Sequence, residues 1–154
     1  MELGCGSGLI SMVVAEKGAT VTATDINPLA LGFIKKNCLH NNLQLKTFQS
    51  DLFNDIPKKE YDIIAINPPY YKKNPVTLRD YAWFCGENGE YFERLFTSLH
   101  SYMHADTEVL MVLFDGCDMD MIHEFAAANN FLLTCVQSKQ NILEKNFIFK
   151  IEKK

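Results

Sequence analysis

The sequence predicts an α/β fold: a mainly parallel sheet with helices on both faces and a closing antiparallel hairpin. Three observations predict it. Apolar, strand-like runs alternate with helix-like segments along all 154 residues. A glycine loop, "GCGSG", follows directly on the first apolar run. The chain ends on two strand-like runs with only "QNIL" between them, too short for a crossover, so that pair must turn back on itself.

The elements follow in order. "MEL" opens onto the glycine loop, and "LISMVVAEKG" is a short helix ending at Gly18. "TVTATD" is β-branched and reads as a strand. "NPLALGFIKKNCLHNN" is a helix, with Asn27 as N-cap and Pro28 at the first helical position. "LKTFQSD" and "YDIIAIN" are the third and fourth strands. "NPPYY" ends the fourth abruptly, because proline gives no N–H to a ladder and drives the preceding residue out of helix. "GEYFERLFTSLHSYM" has helical spacing, "TEVLMVLF" is a strand and "DMDMIHEFAAANN" a helix. "FLLTCVQSK" and "EKNFIFKIEK" form the final pair.

The bulk numbers fit one domain, residues 1–154, with 47 % apolar and 22 % charged residues. A net charge of −4 argues against a protein that grips nucleic acid through a broad basic face. Five cysteines, none in C-x-x-C spacing, argue against a disulfide framework or zinc site and for a reducing compartment, the cytoplasm. No apolar run approaches the roughly 18 residues of a membrane span.

In parallel sheets of this kind the ligand sits at the carboxyl ends of the strands, and the chemistry-bearing residues fall there. Gly4, Gly6 and Gly8 let a ligand approach the backbone, and the next helix offers free N–H groups. The third glycine comes one residue earlier than in the dinucleotide fingerprint. Asp25 closes the second strand, where a carboxylate can accept both hydroxyls of a ribose; alone it reads equally as a helix-capping acid, and the glycine loop beside it favours the ribose. Asp51, in "FQSDLF", can accept from an exocyclic amine, although by itself it reads better as a surface turn acid. Asn67 and Tyr70 stand at the fourth strand end.

"ELGCGSG", "ATDINP", "SDLF" and "INPPYY", in this order, resemble the class I methyltransferases that use S-adenosyl-L-methionine, a Rossmann-like sandwich. The N-P-P-Y tetrapeptide is similar to that of members acting on a planar nitrogen. The resemblance implies that Glu2, Gly4, Gly6 and Gly8 surround the methionine part of the cofactor. It implies that Asp25 takes the ribose and that Asp51 and Leu52 take the adenine. Asn67 would border both cofactor and substrate. A planar nitrogen is a poor nucleophile because its lone pair is delocalised. The Asn67 side-chain oxygen and the Pro68 carbonyl can each accept one of its N–H groups, and Tyr70 can pack on the planar group. No metal is needed.

"AWFCGENGEYFERLF" and "ILEKNFIFKIEKK" resemble the HemK-type methyltransferases, which implies a protein substrate, the glutamine of a translation release factor. The alternative is an adenine-N6 methyltransferase acting on RNA or DNA, with Tyr70 and Tyr71 stacking a flipped base and Lys72 and Lys73 meeting phosphates, although the two lysines read at least as well as a solvated loop pair. A third class is a nucleotide-binding Rossmann domain without methyl transfer, against which the early third glycine and N-P-P-Y both speak.

The pattern departs from the family at one end. Met1 directly precedes Glu2, where the resemblance leads one to expect three or four apolar residues and an upstream segment covering the cofactor. The expectation is a truncated first strand, an exposed cofactor pocket and weak cofactor affinity. His100 and His104 have metal-ligand spacing but no third ligand, and read as a solvated helix end. Trp83 reads as packing or, in the alternative, as lining the substrate groove; Met103, Met111, Met119 and Met121 read as core or boundary residues, and Cys5 as a small loop residue without a nucleophilic role.

Overall fold

The computed structural model describes all 154 residues, which divide into two compact units, Met1–Pro57 and Lys58–Lys154.

The first unit holds three parallel strands, β1 (Glu2–Leu3), β2 (Thr22–Asp25) and β3 (Lys46–Gln49), in the order β3-β2-β1. Glu2 pairs with Ala23, and Thr22 with Lys46. Helix α1 (Leu9–Glu16) and helix α2 (Pro28–His40) are the crossovers. Asn27 caps α2 as its sequence predicts, its side chain accepting the Leu29 N–H at 3.0 Å, with Pro28 at the start of the helix. Asn42, at φ 53°, ends it, and the Leu43 N–H returns to the Cys38 carbonyl at 2.9 Å. Leu31, Ile34 and Cys38 recur at helical spacing and pack with Cys5 and Ala23 as the core of this unit.

The second unit holds β4 (Ile63–Ile66), β5 (Glu108–Phe114), β6 (Phe131–Gln140) and β7 (Lys145–Lys153), in the order β4-β5-β7-β6. β4 and β5 are parallel. β7 runs antiparallel to both its neighbours, so the hairpin expected from "QNIL" is present. The β6–β7 ladder carries an irregularity between Cys135 and Gln137. α3 (Glu90–Leu99) and α4 (Met119–Ala128) complete the unit. The predicted third helix is shorter than its spacing suggested: it gives way at His100 to a 3-10 turn through Tyr102.

β5 buries Val109, Met111 and Leu113 in strict alternation. α3 contributes Phe92, Phe96 and Leu99, all fully buried, and Ile122 joins from α4. Removing one such ring would cost about 3–5 kcal/mol. His100 and His104 do not converge. His100 stacks on Phe131 at 4.1 Å, while His104 Nε2 meets the Asp62 carboxylate at 3.1 Å. No helix is long and apolar enough to cross a membrane.

Candidate functional site

In the first unit the strand-end loops are tied to one residue. The Asp25 carboxylate accepts the Gly6 N–H on one oxygen and the Asn27 N–H on the other, both at 2.8 Å. Its main-chain carbonyl accepts the Ser50 N–H at 3.0 Å, and the Thr24 carbonyl accepts the Cys5 N–H at 2.8 Å. Asp25 thus orders the glycine loop, the entry to α2 and the end of β3 together.

The glycines divide by environment. Gly4 and Gly6 hold φ of 73° and 50°, with nothing within 4 Å of where a Cβ would stand. That space is open to a ligand. Gly8, at φ 72°, is different: a Cβ there would lie 2.4 Å from Ile34 Cγ1, so the missing side chain lets the start of α1 approach α2.

Glu2 is buried, and its carboxylate accepts from both the N–H and the hydroxyl of Ser11. Burial pushes its carboxyl above the usual range, against the lowering effect of the Ser11 hydrogen bonds. Cys5 is buried too, and burial, with Asp25 and Glu2 adding to it, pushes its thiol up to about 12. It stays protonated and is no nucleophile.

At the end of β3, Asp51 is half-buried and Leu52 is buried. Leu52 has φ 52°, a left-handed conformation that leucine seldom adopts. Ser50 holds the turn: its hydroxyl donates to the Leu52 carbonyl at 2.8 Å and accepts the Asp55 N–H at 3.0 Å.

In the second unit, N-P-P-Y leaves the carboxyl end of β4. Asn67 is exposed, Pro68 and Pro69 are buried, and Tyr70 is half-buried. The prolines have no N–H to place, and the N–H groups of Tyr70 and Tyr71 both go to the Trp83 carbonyl, at 3.1 and 2.9 Å. The Cys85 N–H closes the loop on the Tyr71 carbonyl at 3.0 Å. Trp83 therefore acts through its backbone. Trp83 is half exposed, which corrects the packing reading and leaves the groove-lining one open.

Asn67 and Tyr70 line a cavity of about 160 Å³ together with Val112, Leu113, Phe114, Glu144 and Asn146. At ~30 Å³ of liquid per water, that admits a small planar group. The Tyr70 ring lies 4.5 Å from that of Phe114 and 4.9 Å from that of Tyr71. Burial raises the Tyr70 phenol, and Tyr71, Cys117 and Glu144 add to the effect, so it stays neutral. Lys72, read above as a phosphate contact, pairs with Asp118 at 3.1 Å, and the Lys73 ammonium lies 5.0 Å over the Phe84 ring.

Glu144, Asn146 and Phe114 escaped the sequence reading. The signal is the register of an antiparallel pair: Phe114 stands opposite Asn146, which brings the amino-terminal end of β7 to the carboxyl end of β5.

The first unit thus carries an open glycine loop and an acidic second strand end, and the second carries N-P-P-Y beside a small cleft. The family model described as "Methyltransferase small domain" matches residues 1–86, and the chain belongs to that family. A Methanocaldococcus jannaschii protein, provisionally named a protein N5-glutamine methyltransferase, is 37 % identical over 109 residues, covering 67 % of this chain and 55 % of the relative. The ribosomal RNA small subunit methyltransferase C of Haemophilus influenzae is 40 % identical over 73 residues, 46 % of this chain and 22 % of that protein. The chain thus spans about half of the first relative's length and less of the second's. Among solved structures, the E. cuniculi Mtq2–Trm112 complex, described as responsible for methylation of the eRF1 translation termination factor, shares the fold. It has a TM-score of 0.72 at 19 % identity, over 99 % of this chain and 83 % of that one.

Proposed function

We propose that this chain is an S-adenosyl-L-methionine-dependent N-methyltransferase, acting on a glutamine side-chain amide of a protein such as a translation release factor. The observation that carries the choice of substrate is the cleft beside Asn67, which is lined by amide, aromatic, aliphatic and carboxylate groups and by no cation. The 109-residue match to a relative provisionally named for protein glutamine supports the same choice.

The cofactor residues keep the roles given by the resemblance. Glu2, Gly4, Gly6 and Gly8 surround the methionine part: Gly4 and Gly6 leave its approach free, while Glu2 and Gly8 also hold α1 in place. Asp25 takes the ribose hydroxyls, since each carboxylate oxygen has lone-pair capacity left after its one backbone bond. Asp51 and Leu52 take the adenine. When bound, S-adenosyl-L-methionine supplies an electrophilic methyl group on a sulfonium sulfur.

The second unit prepares the acceptor. The Asn67 side-chain oxygen and the Pro68 carbonyl accept the two N–H groups of the substrate amide, which favours localisation of the lone pair on its nitrogen. The fixed loop means that these acceptors do not reorganise as charge builds on nitrogen. Tyr70 lies on the planar amide. The displaced proton leaves to water. In this reading residues 1–154 act as one catalytic domain in the cytoplasm.

The test is transfer of a labelled methyl group into a lysate that lacks the endogenous enzyme. Label in protease-sensitive material of release-factor size supports the proposal. Label in nuclease-sensitive material assigns adenine in RNA or DNA instead. Preferential binding of NAD would return the chain to the non-methylating class.

A further inference from the structure

We propose that Glu144, on the β6–β7 hairpin, is a specificity-determining contact: it accepts a main-chain N–H of the peptide around the acceptor glutamine and repels phosphate from the same cleft. This rests on the glutamine reading above and names how the cleft enforces it.

Three features converge. The first is position. Phe114, at the end of β5, pairs with Asn146, and Glu144 and Asn146 line the same cleft as Asn67 and Tyr70. Glu144 immediately precedes β7 and stands two residues before Asn146, so the turn and the first residues of β7 bring both side chains to the cleft.

The second is support. The tip is braced by Asn141, whose side-chain oxygen accepts the N–H groups of Leu143 and Glu144 at 2.9 and 2.8 Å. The Asn141 N–H in turn donates to the Glu144 carbonyl at 3.0 Å. Glu144 is half-buried, and one carboxylate oxygen accepts Asn146 Nδ2 at 3.2 Å. Its backbone is held from both sides and its carboxylate from one, which leaves the other oxygen to a substrate donor.

The third is charge. Glu144 is the one acid among the lining residues, and no lysine or arginine lines the cleft. The adjacent Lys145 ammonium lies 5.1 Å over the Phe147 ring, and Lys72 is committed to Asp118. A lone carboxylate in a small cleft accepts well from a peptide N–H and poorly tolerates a phosphodiester. The Asn146 amide beside it can meet the neighbouring peptide carbonyl, giving the cleft both halves of a peptide's hydrogen-bonding pattern.

The experiment uses the full chain, a fluorescent glutamine-containing peptide and a fluorescent single-stranded RNA, with binding read by anisotropy and methyl transfer alongside. Glu144→Gln should weaken peptide binding and raise KM by about fivefold, the difference between a charged and a neutral acceptor. It should leave cofactor binding and Tm unchanged, since the side chain's internal bond is to Asn146 alone. Glu144→Lys should lose the peptide and bind the RNA more tightly than wild type by threefold or more. Peptide affinity and KM unchanged in both variants, with wild type using the peptide, would overturn the role of Glu144 and leave the glutamine reading standing. A wild-type chain that binds and methylates the RNA and not the peptide would overturn both.

Discussion

The Asp25 carboxylate accepts the Gly6 N–H at 2.8 Å across 19 residues of sequence. One side chain at the end of β2 thereby fixes the loop at the end of β1. The proposed ribose acceptor is also the residue that shapes the glycine loop, so its substitution reaches cofactor binding by two routes.

Asp25→Ala removes the acceptors of two backbone N–H groups, Gly6 and Asn27. Each orphaned donor costs about 1–3 kcal/mol if it stays buried and less where water replaces the carboxylate. The expected outcome is a lower denaturation midpoint together with a loss of S-adenosyl-L-methionine affinity by titration calorimetry. Asp25→Asn keeps an oxygen for one of the two donors and should recover part of the stability, with less recovery of affinity. An effect confined to substrate affinity would remove Asp25 from the cofactor site.

The glycine loop offers a sharper separation. Gly6→Ala places a methyl in open space and incurs only the left-handed backbone penalty, about 1–2 kcal/mol, yet it fills the approach assigned to the cofactor. Gly8→Ala adds a collision with Ile34 at 2.4 Å to the same backbone penalty. Urea unfolding should therefore rank Gly8→Ala as the less stable variant, by about 1–3 kcal/mol of overpacking. Cofactor titration should rank Gly6→Ala as the weaker binder relative to its stability. The reverse order on both axes would exchange the roles given to the two glycines.

Glu2 makes stability pH-dependent. Burial raises its folded-state carboxyl above the usual 4.5, so the native state holds this proton more tightly than the unfolded chain does. That contribution is fully present below pH 4.5 and is lost as pH rises through the raised value. Glu2→Gln carries no titrating group. Plotted against pH, the Tm of wild type minus that of Glu2→Gln should fall across the window above 4.5 and then level. A flat difference would mean that Ser11, whose two hydrogen bonds oppose the burial effect, offsets it.

Much of this was legible in the sequence, for identifiable reasons. The α2 start could be read because Asn27 and Pro28 act locally, through a bond two residues away. The closing hairpin could be read because a four-residue gap permits no crossover. The glycine loop and N-P-P-Y could be placed at strand ends because each follows an apolar run directly. What escaped depends on distance or on register. The bond from Asp25 to Gly6 spans two elements, and nothing in "TATD" announces it. Leu52 adopts a conformation that usually advertises itself with glycine or asparagine, and here the only sign is the hydroxyl of Ser50. Trp83 misled because an aromatic ring suggests burial, whereas its carbonyl is the part that holds the loop. Glu144 and Asn146 looked like ordinary turn residues until the β5–β7 pairing set them beside the cleft.

The central claim is that Asn67 prepares a planar nitrogen for methyl transfer. The most direct measurement compares wild type with Asn67→Ala in single-turnover transfer of labelled methyl, with S-adenosyl-L-methionine affinity measured on the same samples. The account predicts a fall in transfer of about a hundredfold or more, the scale of losing one preorganised polar contact, with cofactor affinity nearly unchanged. Transfer at the wild-type rate would contradict it and take Asn67 out of the chemistry.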